Sequence, residues 1–332
     1  MGILKITEFL DQDINNLQEQ PEQDFLEDIR IKQLSYSSLL TLHQCPRKYQ
    51  LYKGQAIKAQ EELEQTVTFS YGHIVGAGLQ AVLQNKSETE ILWEMFLMWK
   101  PELFAEGEKN GKSFWSGVIA VQKYLALRRA GYLKDYTVYT HEGKPAVELG
   151  FKIILPDGFV YRGFVDAVLQ HKITRAILVL ECKTTGARSI NPATYKNSAQ
   201  AIGYSIVLDF LFPSLSKYEV LYEVYKSSSA EWESMKFSKS YLQRALWIQE
   251  LLLDVEMIKL YQNYEIFPMH GESCFDFFKE CEYFTNCQMS TRFLTAKYTK
   301  EDAQRIAAND SKYTIIVTVQ DLIKAQLAKE VG

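Results

Sequence analysis

No run of about 18 apolar residues occurs in the 332-residue chain, which excludes a helical span of a bilayer. The opening MGILKITEFLDQD is too acidic, and its apolar part too short, for a secretory signal. Basic excess is missing as well: the formal charge is -4, so the chain as a whole does not advertise a polyanionic partner. The deficit is local. Residues 1–30 hold eight acids against Lys5 and Arg30, a net of -6, which leaves the remainder at about +2 and permits a basic face there. Internal repeats and long low-complexity linkers are absent. Cysteine is scarce, at five residues, and in a reducing compartment these do not read as disulfides. The expectation is an intracellular globular protein, long enough for one large domain or two modest ones.

What is present is a mixed pattern of helix and strand. Ser35 is a candidate cap for a short helix carrying Leu39, Leu40 and Leu42 that stops near Pro46. FSYGHIVGAGLQAVLQ reads as a helix with small residues on one side, open to close approach by another backbone. Residues 88–99 and 114–131 have the spacing of amphipathic helices. PAVELGFKIILP, Asp157-Gly158 and FVYRGFVDAVLQ read as a hairpin, because Asp-Gly suits a tight turn with positive φ. AILVLECKT is the next strand, and ATYKNSAQAIGYSIVLDFL returns to helical spacing. A further strand pair, a long helix from Tyr241 to Tyr264, a cysteine segment, one strand-like run (YTIIVTV) and one helix follow. This order predicts an α/β fold with helices packed on a mixed central sheet.

The strand LVLECKTTGARS carries the chemistry. Leu178, Val179 and Leu180 read as buried, and then Glu181 and Lys183 appear two residues apart. Strand side chains alternate, so Glu181 and Lys183 share a face and Cys182 points the other way. On the hairpin strand Arg162, Phe164 and Asp166 share a face by the same rule. If the strands are neighbours, Asp166 stands beside Glu181. Two such carboxylates repel, and one takes up a proton unless a cation sits between them. Mg²⁺ (or Mn²⁺) resolves the conflict with an octahedron of oxygens at about 2.0–2.1 Å, several of them water. The Cys182 backbone carbonyl is a third oxygen. Lys183 then orients a water, lowers its pKa or steadies a pentavalent phosphate, as in metal-assisted phosphodiester hydrolysis. A strand end bearing an ordinary salt bridge is the competing reading.

Taken with GFVDAV, LECKTT, QAIGY and CPRKYQL, the sequence resembles the PD-(D/E)xK nuclease superfamily over about residues 34–290, and within it the RecB-type nucleases. That group includes phage exonucleases, AddAB-type nuclease domains and CRISPR-adaptation nucleases. The resemblance implies a restriction-endonuclease-like core with a helical N-terminal part and a cysteine-cluster C-terminal segment. The divisions expected are an acidic tail (1–30), a nuclease domain (31–290) and a C-terminal extension (291–332). It implies catalytic roles for Asp166, Glu181, Lys183, Gln200 and Tyr204. Gln200 and Tyr204, four apart, project from one helical face: Gln200 to orient water or Lys183, Tyr204 to donate to phosphate. The family's metal-ligating histidine has no counterpart in register. Aligning Gly72 and Leu79 puts that position on Gly76, and leaves His73, a water or Glu148 to complete the shell.

The resemblance also implies a cluster held by Cys45, Cys274, Cys281 and Cys287. The last three are spaced C-x6-C-x5-C. A [4Fe–4S] cluster is the first expectation and Zn²⁺ the alternative, since both accept four thiolates. Its role would be to fasten the N-terminal helix to the C-terminal segment. Arg188, Lys196 and Lys48, with Lys53, Lys58 and Lys183, are candidates to hold DNA phosphates, which positions a strand without reading it. With neither helix-turn-helix nor zinc-finger spacing, sequence-specific binding is not indicated. With no G-x-x-x-x-G-K-[ST] in the chain, any unwinding comes from a partner helicase. A single-strand annealing protein or a recombinase is the other partner implied. The expected activity is a DNA exonuclease in recombination, repair or phage replication, in the cytoplasm of a bacterial or phage-infected cell. The alternatives are an inactive DNA-binding or assembly module and a CRISPR-adaptation nuclease.

Overall fold

The computed structural model describes residues 29–54, 63–103, 105, 111–213, 215, 218–276, 279–288 and 299–330. Apart from residues 29 and 30, the acidic tail lies outside them, as does Lys58. Among the described residues eight strands form one sheet: β1 (Gln33–Leu34), β2 (Tyr136–Val138), β3 (Val147–Ile154), β4 (Val160–His171), β5 (Ile177–Thr185), β6 (Tyr218–Lys226), β7 (Glu231–Lys239) and β8 (Ile315–Thr318). Their order is β8-β3-β4-β5-β6-β7, with β1 and β2 pairing along β4. The sheet is mixed: β5–β6 and β8–β3 are parallel, while β3–β4, β4–β5 and β6–β7 are antiparallel.

The hairpin forms where it is expected. Asp157 and Gly158 both take positive φ (56° and 75°), which lets the chain reverse without splaying β3 from β4. A parallel pair needs a crossover, and β5 reaches β6 through α6 (Pro192–Lys196) and α7 (Ala199–Leu211). The single helix expected there breaks in two at Asn197 and Ser198.

Because β5 sits mid-sheet, it is apolar on both faces. Ile177 and Val179 join one core with α7, α8 (Tyr241–Asn263) and α10 (Val319–Glu330). Leu178 and Leu180 join a second core with α3 (Leu63–Leu83), α4 (Glu88–Met98) and α5 (Phe114–Arg129). Each such side chain contributes about 1.5–3 kcal/mol by leaving water. Capping boxes at Ser87 and Ser240 start α4 and α8. Helix α4 departs from a clean amphipathic pattern: Ile91 and Met95 are buried, but Trp93 and Phe96 stack on each other at 5.8 Å in the open.

The N-terminal helices α1 (Tyr36–Gln44) and α2 (Pro46–Lys53) dock on the cysteine segment. The Arg47 amide donates to the Pro268 carbonyl (3.0 Å), and its Nε donates to the Cys287 carbonyl (2.9 Å). The region set apart in sequence as a C-terminal extension supplies α9 (Lys300–Ala308), α10 and the edge strand β8.

Candidate active site

Three carboxylates stand in a row across neighbouring strands. The β3–β4 ladder pairs Val147 with Ala167 and Leu149 with Val165, which sets Glu148 opposite Asp166. The β4–β5 ladder closes at Ala167 with Leu180, so Asp166 stands one step on, opposite Glu181. There β4 leaves β5. The Cys182 amide, which a continued ladder would have paired, donates to Asp166 Oδ2 instead at 2.7 Å. Both β3 and β4 switch faces at this level. Leu149 and Val165 lie in the core under α7, whereas Val147 and Ala167 pack against the other. The alternation expected to align Arg162, Phe164 and Asp166 therefore breaks. Glu148, at φ 48°, marks the switch on β3.

Like charges set across a sheet destabilise one another. Burial first, and then the Glu181 charge, hold Asp166 well above the usual carboxylate range. Burial also raises Glu181, and Glu148 adds to it. Glu181 is 1% exposed, and its Oε2 has no hydrogen-bond partner among the described residues. Its one compensation is the Lys183 ammonium, 2.5 Å from Oε1. Burial works against charge on Lys183, but Glu181 and then Asp166 outweigh it and hold its proton above the ordinary lysine range. Lys183 Nζ also donates to Gln200 Oε1 (3.0 Å), and Gln200 Nε2 donates to the Tyr204 hydroxyl (2.6 Å). Burial and the Glu181 charge keep the Tyr204 phenol neutral. The expected quintet of Asp166, Glu181, Lys183, Gln200 and Tyr204 is thus brought together by β4, β5 and α7.

The profile of the PD-(D/E)XK nuclease superfamily matches residues 33–288. The chain belongs to that superfamily. A candidate exonuclease from Eubacterium rectale is similar at 8% identity over 77% of this chain and 91% of its own, with a TM-score of 0.42. The protein SSO0001 is similar at 14% identity over 89% of this chain and 98% of its own, with a TM-score of 0.32. No curated protein matches. Among the described residues no helix is long and apolar enough to cross a membrane.

Nucleases of this superfamily work with divalent metal, and the donors here suit one. Glu181 Oε2 is buried without a hydrogen-bond partner among the described residues, and Asp166 is raised by burial and then by the Glu181 charge. Among the described residues no three His, Cys, Asp or Glu side chains stand as a ready-made ligand set, so backbone oxygen and water would have to share the coordination. His73 is exposed on α3. A Cβ at Gly76, one turn before Gln80, would meet no atom within 4 Å. The sequence reading missed Gln80: it is buried, and its Nε2 donates to Glu148 Oε1 at 2.6 Å. A buried Gln on the same helical face as Gly72 and Gly76 was the available signal.

Of the basic candidates, Arg188 and Lys196 are exposed on the path from β5 to α7, and Lys48 is half-buried on α2. Lys53 is engaged inside the protein, donating to the Gln33 carbonyl. Among the described residues the four cysteines do not stand together as a metal-ligand set: Cys45 is buried, and Cys274, Cys281 and Cys287 are half-buried. Burial raises the Cys287 thiol, and the neighbouring Cys45, Cys281 and Cys274 add to that rise in its electrostatic environment. The Cys281 amide donates to the Cys274 carbonyl at 2.8 Å.

Proposed function

We propose that this chain is a metal-dependent DNA exonuclease of the RecB type, acting at DNA ends in recombination, repair or phage replication. The observation that carries the reading is the pair Asp166 and Glu181 at the β4–β5 fork, with Glu181 Oε2 buried and unpartnered among the described residues and Lys183 against Oε1. Asp166, Glu181 and the Cys182 carbonyl would hold Mg²⁺ or Mn²⁺, with His73 and Glu148 as candidates for a further position. Bound there, the ion supplies Lewis-acid stabilisation of phosphate charge.

Lys183 stays protonated, so it acts by charge and hydrogen bonding rather than as a base. It faces the scissile phosphate or the attacking water while Gln200 fixes its azimuth. Tyr204 accepts from Gln200 and keeps its own O–H to donate to phosphate. Arg188, Lys196 and Lys48 hold the strand by its backbone. Cys45, Cys274, Cys281 and Cys287 hold a [4Fe–4S] cluster, with Zn²⁺ the alternative. A brown protein absorbing near about 400 nm would separate iron–sulfur from zinc.

The bare helix position at Gly76 favours a second reading, a nuclease fold that binds DNA without turnover. A digestion assay decides between them, using end-labelled linear and closed circular DNA with Mg²⁺, Mn²⁺ or EDTA. The exonuclease reading expects wild type to shorten linear DNA only, in metal only. Lys183→Ala should fall about 10²–10³-fold with its fold retained. Metal-independent retention of DNA with no cleavage by either protein would overturn it in favour of the binding module.

A further inference from the structure

Helix α8 is apolar on two opposite faces. One face is built into the core, where Trp247, Leu251, Val255 and Ile258 are buried. Polar contacts fix the same face: Arg244 pairs with Asp209 at 2.8 Å, and Asp254 is hydrogen-bonded to His43 at 2.7 Å. On the other side Leu242, Leu246, Leu253, Met257 and Leu260, with Tyr264 just past the helix end, are exposed. At about 3.6 residues per turn these six fall in one narrow stripe, half a revolution from the buried face. Leu242, Leu253 and Tyr264 are 64%, 65% and 66% exposed, so little of the described protein lies against them. A surface helix turns polar residues outward, and one that is apolar all round is covered on both sides.

The residues bordering the stripe narrow what covers it. They are Gln249 and Glu256 on one shoulder, and Gln243 and Glu250 on the other. A helix that lies on anionic lipid carries Lys and Arg at its borders, and a face for nucleic acid carries them too. These borders are acidic and neutral, which favours a protein. The spacing then selects which protein. Leu246 and Leu260 lie seven residues either side of Leu253, and Leu242 and Tyr264 lie eleven either side. Run backwards, the stripe nearly reproduces itself; Met257 alone has a polar mirror, in Gln249. A two-fold contact needs such self-complementarity, because residue i meets j and j meets i.

We infer that α8 is a self-association surface, on which two copies of this chain pair their stripes antiparallel about a two-fold axis at Leu253. In that register Leu253 meets Leu253 of the partner subunit, Leu246 meets Leu260 of the partner subunit, and Leu242 meets Tyr264 of the partner subunit. The contact runs along a helix of 23 residues, about 34 Å. Like charges stay apart. Glu250 and Glu256 stand on opposite shoulders, and the two-fold axis brings each shoulder against its own kind. Glu256 therefore comes beside Gln249 of the partner subunit, and Glu250 beside Met257 of the partner subunit. None of the stripe residues belongs to the site at the β4–β5 fork, so the inference stands apart from the nuclease reading.

The test is sedimentation velocity of the full chain from about 1 μM to about 100 μM, with wild type and Leu253→Glu. Wild type should reach the dimer within that range. Leu253→Glu sets two carboxylates face to face on the axis and should weaken the dimer about 100-fold or more. Its melting temperature should hold, because the position is exposed. Two cysteine variants read the register. Under mild oxidation Leu253→Cys should join its own copy and run as a covalent dimer on a non-reducing gel. Leu242→Cys, which faces Tyr264 of the partner subunit, should cross-link no more than wild type with its five cysteines. A wild type that stays monomeric throughout overturns the inference and leaves the stripe to a different protein. A dimer that Leu253→Glu does not weaken also overturns it, since the contact then lies elsewhere. Leu242→Cys that cross-links as readily as Leu253→Cys overturns the antiparallel register. If Leu253→Glu fails to fold, the two cysteine variants decide.

Discussion

Two sets of buried charge lie in this protein, and they are built on opposite plans. At the β4–β5 fork, Glu181 is sealed from water with one lysine against its Oε1 and no hydrogen-bond partner for Oε2 among the described residues. Between the helices on the same side of the sheet, Asp209 and Arg244 are equally sealed, at 2.8 Å from each other, and are surrounded by partners. Gln326 of α10 donates to Asp209, Arg244 donates to the Lys239 carbonyl, and the guanidinium lies 5.8 Å over the Tyr218 ring. The second set braces α7, α8, α10 and β6 against one another. The first has a single lysine as its partner, and it is there that the metal is proposed to bind. A buried charge completed by the protein is architecture, and one with so few partners is a candidate site.

The comparison can be broken by experiment. The largest effect is expected from Asp209→Ala, which strands Arg244 and should cost about 3–5 kcal/mol in urea unfolding. Lys239 is an intermediate case: it is fully buried, and among the described residues it donates to the Tyr195 and Lys196 carbonyls at the end of α6. Burial lowers its pKa from 10.5 to about 8. Below that point both folded and unfolded states carry the proton. From about 8 to 10.5 the unfolded state holds more protons, so stability should rise with pH, by roughly 2–3 kcal/mol in all. Lys239→Met should flatten the rise; equal slopes in the two proteins would remove Lys239 from the series. The smallest stability effect belongs to Glu181→Gln. Loss of a half-exposed ion pair offsets relief of a buried charge, so unfolding should stay within about 1 kcal/mol of wild type while cleavage falls about 10³-fold. If Glu181→Gln unfolds as readily as Asp209→Ala, the two plans are one, and the fork is only another brace.

Local features of the chain were open to sequence reasoning. The hairpin follows from Asp157-Gly158, and β5 from three apolar residues that end at a charge. Gln200 and Tyr204 follow from a four-residue spacing on a helix. What escaped depended on distant partners. Nothing near Gln80 announces Glu148, 68 residues away in sequence. Periodicity runs straight through Asn197 and Ser198, yet α6 ends there, where Lys239 meets its last carbonyls. Lys53 looks like a free phosphate contact until β1 brings the Gln33 carbonyl to it. The face switch at Glu148 and Asp166 breaks the alternation on which the reading of that strand relied.

The position of β8 bears on how this protein is made. Strand β3 is synthesised more than 150 residues before the segment that pairs with its outer edge. During that interval its outer amides and carbonyls have no strand beside them, and an unpaired edge invites foreign strands. The nascent chain must therefore shield this edge for many seconds at ordinary ribosome speeds of about 5–20 residues per second. A ribosome stalled before Ile315 would present a nearly complete sheet with β3 open at one edge, opposite the β7 edge.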